Sequence, residues 1–166
     1  MFKSESLLDK KLKSDAVSKE VQEVSDEIAK EYTKDLDKYV HFIRSILKDG
    51  ENPPSIQELE DYCINLPVLI YYASEMQEKL GIKDDISKSL YKRAYNTHRM
   101  RQEVGTVADK TSIAEELSND ELIISICYKR AYTIVKNKVD AAQELLSSCK
   151  KIITRRISEQ ELTRIS

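Results

Sequence analysis

Residues 119–157 read NDELIISICYKRAYTIVKNKVDAAQELLSSCKKIITRRI, without a glycine or a proline. Tyr128, Ala131, Val135, Val139, Ala142, Leu146, Cys149 and Ile153 recur along it at steps of three or four, the spacing that keeps side chains on one face of an α-helix. The steps follow a heptad with one stutter and predict a long, coiled-coil-like helix from about Asn119 to Ile157. At 1.5 Å per residue it would span ~60 Å, more than a compact chain of this size covers by itself. It therefore needs partners. The expected ones are the preceding helix, folded back as a hairpin, and another copy of the chain, held through Val135, Val139, Ala142 and Leu146.

The rest of the composition agrees with an all-α fold. Three Gly and three Pro in 166 residues leave too little punctuation for many strands and tight turns. No apolar run approaches the ~20 residues of a membrane span. Charges scattered through Met1 to Lys13 stand where a signal peptide would carry its apolar core. A soluble, cytoplasmic protein without membrane contact is the expectation. Cys63, Cys127 and Cys149 are odd in number, and the last two would lie ~33 Å apart on one helix, so buried thiols are expected, not a disulfide. His41 and His98 stand alone, without the spacing of a metal site. No Gly-rich phosphate loop or nucleophile–base pattern is present, and Asp84-Asp85 and Glu115-Glu116 read as helix-start charges. The chain is expected to be non-enzymatic and to need no cofactor.

Working towards the amino terminus, Val17, Val21, Val24, Ile28, Tyr32, Leu36, Tyr39, Ile43 and Leu47 predict an amphipathic helix from Ser14 or Asp15 to Lys48, ended by Asp49-Gly50 and Pro53-Pro54. Residues 1–50 thus read as a helical extension and residues 55–166 as the hairpin domain. Ser55-x-x-Glu58 fits a capping box that opens the next helix, and Pro67 is expected to kink or interrupt it. The run Leu66 to Ala73, the most apolar in the chain, reads as core. Gly81 is expected to separate it from a third helix that ends at Gly105. Ser112-x-x-Glu115 and Ser118-x-x-Glu121 then suggest a short helical turn before the last helix.

Charge is unevenly distributed behind the net −2. Residues 1–66 carry 10 Lys/Arg against 15 Asp/Glu, whereas residues 122–157 carry 8 against 2. A polyanion would therefore meet the carboxy-terminal third, because counterions are released only where cations line the contact. Within the basic region Tyr91-Lys92-Arg93-Ala94-Tyr95 recurs unchanged as Tyr128-Lys129-Arg130-Ala131-Tyr132. The midpoint between the copies lies near Thr111, so a hairpin turning there would set them opposite each other. The tyrosines of each copy share a helix face at i and i+4. Lys88, Arg99 and Lys136 fall nearby, and Lys150, Lys151, Arg155 and Arg156 extend the stripe. Together they form a candidate surface for phosphates and stacked bases. An ordinary half-buried helix stripe with a solvated cationic rim accounts for the same pattern.

Residues from about Leu59 to Ile165 resemble the phage recombination-mediator proteins of the UvsY type. The likeness rests on Leu66-Pro67 followed by Tyr71-Tyr72, on the Tyr91 to Arg101 helix, on Gly105-Thr106-Val107-Ala108-Asp109, and on the helix from Glu121 to Lys150-Lys151-Ile152-Ile153. The resemblance implies an oligomeric helical protein of the host-cell cytoplasm that binds single-stranded DNA. It would help a RecA-like recombinase replace a single-strand-binding protein. The alternative is a structural or adaptor protein of a phage or bacterial assembly, acting by helix–helix contacts, for which the acidic first helix offers a further surface.

Overall fold

The computed structural model describes the backbone of residues 7–165 and the side chains of residues 13–164. The fold is all-α. Its helices are α1 (Leu7–Lys48), α2 (Ile56–Arg101), α3 (Val107–Leu117) and α4 (Asn119–Ile165), with no strand among the described residues. The first and last helices start and end further out than their apolar periodicity suggests, at Leu7 and Ile165.

Helix ends are set by local hydrogen bonds. After α1 the Asp49 amide donates to the Ile46 carbonyl at 3.1 Å, and the Glu51 amide donates to Asp49 Oδ1 at 3.1 Å. The expected capping box opens α2: the Ser55 amide donates to Glu58 Oε2 at 2.7 Å and the Glu58 amide to Ser55 Oγ at 3.2 Å. These bonds from the Ser55 backbone and hydroxyl hold the Glu58 carboxyl below its ordinary range. The cap before α3 is Thr106-x-x-Asp109, not Ser112 or Ser118: the Thr106 amide donates to Asp109 Oδ2 at 2.9 Å and the Asp109 amide to Thr106 Oγ1 at 3.2 Å. An aspartate thus fills the role usually assigned to Glu or Gln at that position. Gly105 just before it has φ +109°, which only glycine adopts without strain. Ser118 alone joins α3 to α4. Its hydroxyl donates to the Ala114 carbonyl at 2.7 Å, and its own carbonyl accepts from the Leu122 amide at 3.1 Å.

α2 is not interrupted at Pro67 or at Gly81, so the predicted second and third helices are one. Asp84 and Asp85 therefore lie in the middle of a helix and not in its first turn. Proline removes the amide that would bond the Cys63 carbonyl, and the helix survives that loss inside its packed surroundings. Gly81 keeps helical geometry and lies against the Tyr132 ring, where a Cβ would sit at ordinary contact distance, 3.4 Å from Tyr132 Cε2.

Packing divides the described residues into two units. The first takes α1 up to Ala29, α2 from Lys79, α3, and α4 up to Thr133. Its buried side chains are small or polar: Ser25, Ala29, Asp84, Ser87, Ala114, Ser118, Ser125 and Ala131 lie among Val21, Leu80 and Cys127. Ser25 satisfies its hydroxyl by donating to the Val21 carbonyl at 2.6 Å. The second unit takes α1 from Lys30, α2 up to Glu78, and α4 from Ile134. Leu36, Ile43, Leu59, Tyr62, Leu66, Ile70, Val135, Val139, Ala142 and Cys149 form its core. Tyr62 meets the rings of Tyr39 and Phe42 edge-on at 6.4 and 6.1 Å. Lys138 Nζ bonds Asp37 Oδ2 at 2.6 Å and Thr33 Oγ1 at 3.0 Å.

Two sequence expectations change here. The boundary near residue 50 follows the α1–α2 loop, whereas packing places α1 segments inside both cores. Val135, Val139 and Ala142, expected to hold copies together, are 0–4 % exposed in the isolated chain, and Leu146 is half-buried. Within the single chain, Val135, Val139 and Ala142 are thus packed against the chain's own residues. The apolar run 66–73 is likewise split: Leu66, Ile70 and Ala73 are buried, while Val68, Tyr71 and Tyr72 are exposed.

Candidate nucleic-acid interface

The repeated pentapeptides do not face each other. In the first unit Gly81 lies against Tyr132, and Lys83 Nζ stands 6.0 Å from the centre of the Tyr128 ring. The α2–α4 register therefore sets Tyr128 near residue 83, two turns before Tyr91. The expected turn at Thr111 is instead occupied by α3, which moves the hairpin centre towards Gly105. The doubled patch of four tyrosines is not assembled.

The second copy is largely absorbed into packing. Ala131 is fully buried, Tyr128 and Tyr132 are half-buried, and Arg130 Nη2 donates to Gln22 Oε1 at 3.2 Å. Lys129 and Arg130 are the exposed members of this copy. The first copy is more open. Tyr91 and Tyr95 are half-buried with ring centres 6.4 Å apart, and Lys92 and Arg93 are exposed. Lys88 is neutralised locally: Nζ lies 2.6 Å from Asp84 Oδ2 and 3.8 Å from Asp85 Oδ1. The hydrogen bond from Lys88 to Asp84 is the main cause that raises the Lys88 pKa.

Steps of three and four place Lys92, Tyr95 and Arg99 on one side of α2. A half-buried ring there sits between two exposed cations. Arg101, absent from the residues singled out by sequence, is also exposed at the end of this helix. Its position in the last turn, where cations are common anyway, gave no separate signal. Lys92 and Arg99 are exposed, and Arg93 and Arg101 share a groove with Glu121.

The second unit treats its cations unequally. Lys136, Lys150 and Lys151 are exposed, the last beside Asp140 and Glu144 in a polar groove. Arg155 Nε bonds Glu159 Oε1 at 2.8 Å, and half-buried Arg156 donates to the Pro54 carbonyl. Those two arginines hold structure. No cluster of three or more metal-ligating side chains exists among the described residues, and no helix among them is long and apolar enough to cross a membrane. Burial pushes the Cys63, Cys127 and Cys149 thiols up in pKa, away from the thiolate form that reacts. No family model, curated protein or solved structure matches the chain.

Proposed function

We propose that the chain is a non-catalytic protein that binds single-stranded DNA along the carboxy-terminal half of α2 and acts as a recombination mediator. The observation that carries this reading is the Lys92–Tyr95–Arg99 row: a half-buried aromatic ring flanked by two exposed cations. Such a row offers phosphates two charges and a base one stacking face. Arg93, Arg101 and Lys129 lie in the same unit and add charge. A RecA-like recombinase and a single-strand-binding protein are the partners that the UvsY resemblance supplies.

Fluorescence anisotropy with a labelled single strand at two salt concentrations tests the reading. Four to five phosphate contacts give a logarithmic salt slope of about −3 to −4 on single strands. Replacing Lys92, Arg99 and Lys129 by Glu should abolish binding without changing helicity, since exposed charges contribute little to folding. Absence of binding by the unaltered chain at low salt would refute it. A second reading, a structural or adaptor component, is favoured by one specific observation: Ile64 and Tyr71 are 67 % exposed on α2. Association through such side chains would be insensitive to salt.

A further inference from the structure

Within the first unit, α1 and α4 leave an apolar groove open to solvent. Val17, Val24 and Ile28 of α1 and Ile123, Ile124 and Tyr128 of α4 line it above the buried Val21 and Cys127, and its volume is about 580 Å³. All of these residues belong to that one packing unit. Val17, Val24 and Ile124 are 45, 39 and 51 % exposed, so both walls keep apolar surface in water. From Val17 to Ile28 the α1 wall runs about 16 Å at 1.5 Å per residue, the length of three helical turns. Apolar surface of this kind, rimmed by polar side chains, marks a contact site. The charged side chains in the lining are Glu20 and Asp120, both acidic and both exposed. Exposed Glu27, two turns after Glu20, continues the acidic edge of α1. A cation stands only at the Tyr128 edge among these contacts: Lys83 Nζ lies 6.0 Å from that ring centre.

We infer that this groove takes an amphipathic helix of another protein, apolar on one face and carrying Lys or Arg beside that face. Three turns of wall match a helix whose apolar side chains recur at i, i+4, i+7 and i+11, the spacing used when a helix lies in a groove. The rim selects the sign of the flanking charge. A cationic helix is attracted by Glu20 and Asp120, whereas an acidic helix, a nucleic-acid backbone or an anionic lipid surface meets like charge there. Because Lys83 sits at the Tyr128 edge, the partner's cations belong against Glu20 and Asp120. The inference does not rest on DNA binding, since Lys92, Tyr95 and Arg99 are not part of the groove lining.

The test titrates the full chain, without DNA, into a fluorescein-labelled helical peptide of about 15 residues, with Leu at those four positions and Lys beside them. A second peptide carries Glu at every Lys, and anisotropy is the readout. The Lys peptide should bind at least about tenfold more tightly than the Glu peptide. Val24→Gln with Ile124→Gln should weaken its binding at least about tenfold, with helicity by circular dichroism unchanged because both positions are exposed. Glu20→Lys with Asp120→Lys, checked for helicity in the same way, should reverse the preference and make the Glu peptide the tighter ligand. The inference is overturned if the Lys peptide fails to bind at ~100 μM chain, or if both peptides bind equally, which would mark a groove for any apolar ligand. It is also overturned if both double variants keep the unaltered affinities, which would put the peptide elsewhere. Sedimentation velocity covers the remaining occupant: a dimer of the unaltered chain that Val24→Gln with Ile124→Gln dissociates would give the groove to a second copy and overturn the inference as well.

Discussion

Replacing Val139 distinguishes a core within one chain from a seam between chains. Val139 is 4 % exposed in the isolated protein, with Val135 and Ala142 at 0 % on the same face of α4. Val139→Ala removes two methyl-sized groups, a transfer loss of ~1.6 kcal/mol at ~0.8 kcal/mol per group. Incomplete collapse around the vacated space raises this to about 2 kcal/mol. Val139→Asp removes the same contacts and adds a carboxylate with no partner, for a total of roughly 4 kcal/mol or more. That is about a quarter or more of the ~5–15 kcal/mol stability of a typical domain.

The assay is urea unfolding followed by circular dichroism at two protein concentrations. If the side chain belongs to the chain's own core, the Ala variant loses the same free energy at both concentrations and the Asp variant is largely unfolded. Sign also matters. Burial would raise the pKa of the carboxyl introduced by Val139→Asp above its unfolded value, so its penalty is full at neutral pH and shrinks as pH falls through the raised value. An Asp variant that keeps native helicity and melting temperature, while losing only mass, would show that Val139 faces another copy and that this packing is wrong.

Deleting residues 1–48 removes Leu36 and Ile43 from the second core and Asp37 from Lys138. Each aliphatic side chain contributes about 1.5–3 kcal/mol, so calorimetry should show no cooperative transition for the remainder. Pro67→Ala restores the amide that can bond the Cys63 carbonyl. Given the ~3 kcal/mol that proline costs inside a helix, it should raise the melting temperature even after losing the ring's contacts; an unchanged or lower value contradicts the account of α2. Glu58 and Asp109 titrate below their ordinary values because Ser55 and Thr106 donate to them. Their contribution is therefore complete above the unfolded carboxylate pKa and lost as pH falls through the lower folded values. Ser55→Ala should move the Glu58 titration upward in a carboxyl NMR experiment, and an unmoved titration would mean the cap is not formed in solution.

What could be read directly from the chain is what its near neighbours decide. The Ser55–Glu58 box, the stop at Asp49-Gly50, the role of Gly105 and the start of α4 at Asn119 all depend on groups within four residues of each other. Pro67 and Gly81 look equally local and mislead, because α2 continues through both; Gly81 lies against Tyr132, on another helix. That one long-range contact has a functional consequence. It fixes the α2–α4 register, and the register, not the identity of the two pentapeptides, decides that Tyr128 lies under Lys83 instead of opposite Tyr91. The Lys138–Asp37 pair is invisible for the same reason, as its members are about a hundred residues apart. α2 was hardest to read because it is apolar on two sides. An inward stripe through Leu66, Ile70, Ala73 and Leu80 and an outward one through Ile64, Val68, Ile82 and Ile86 cancel the one-sided periodicity that marks a surface helix.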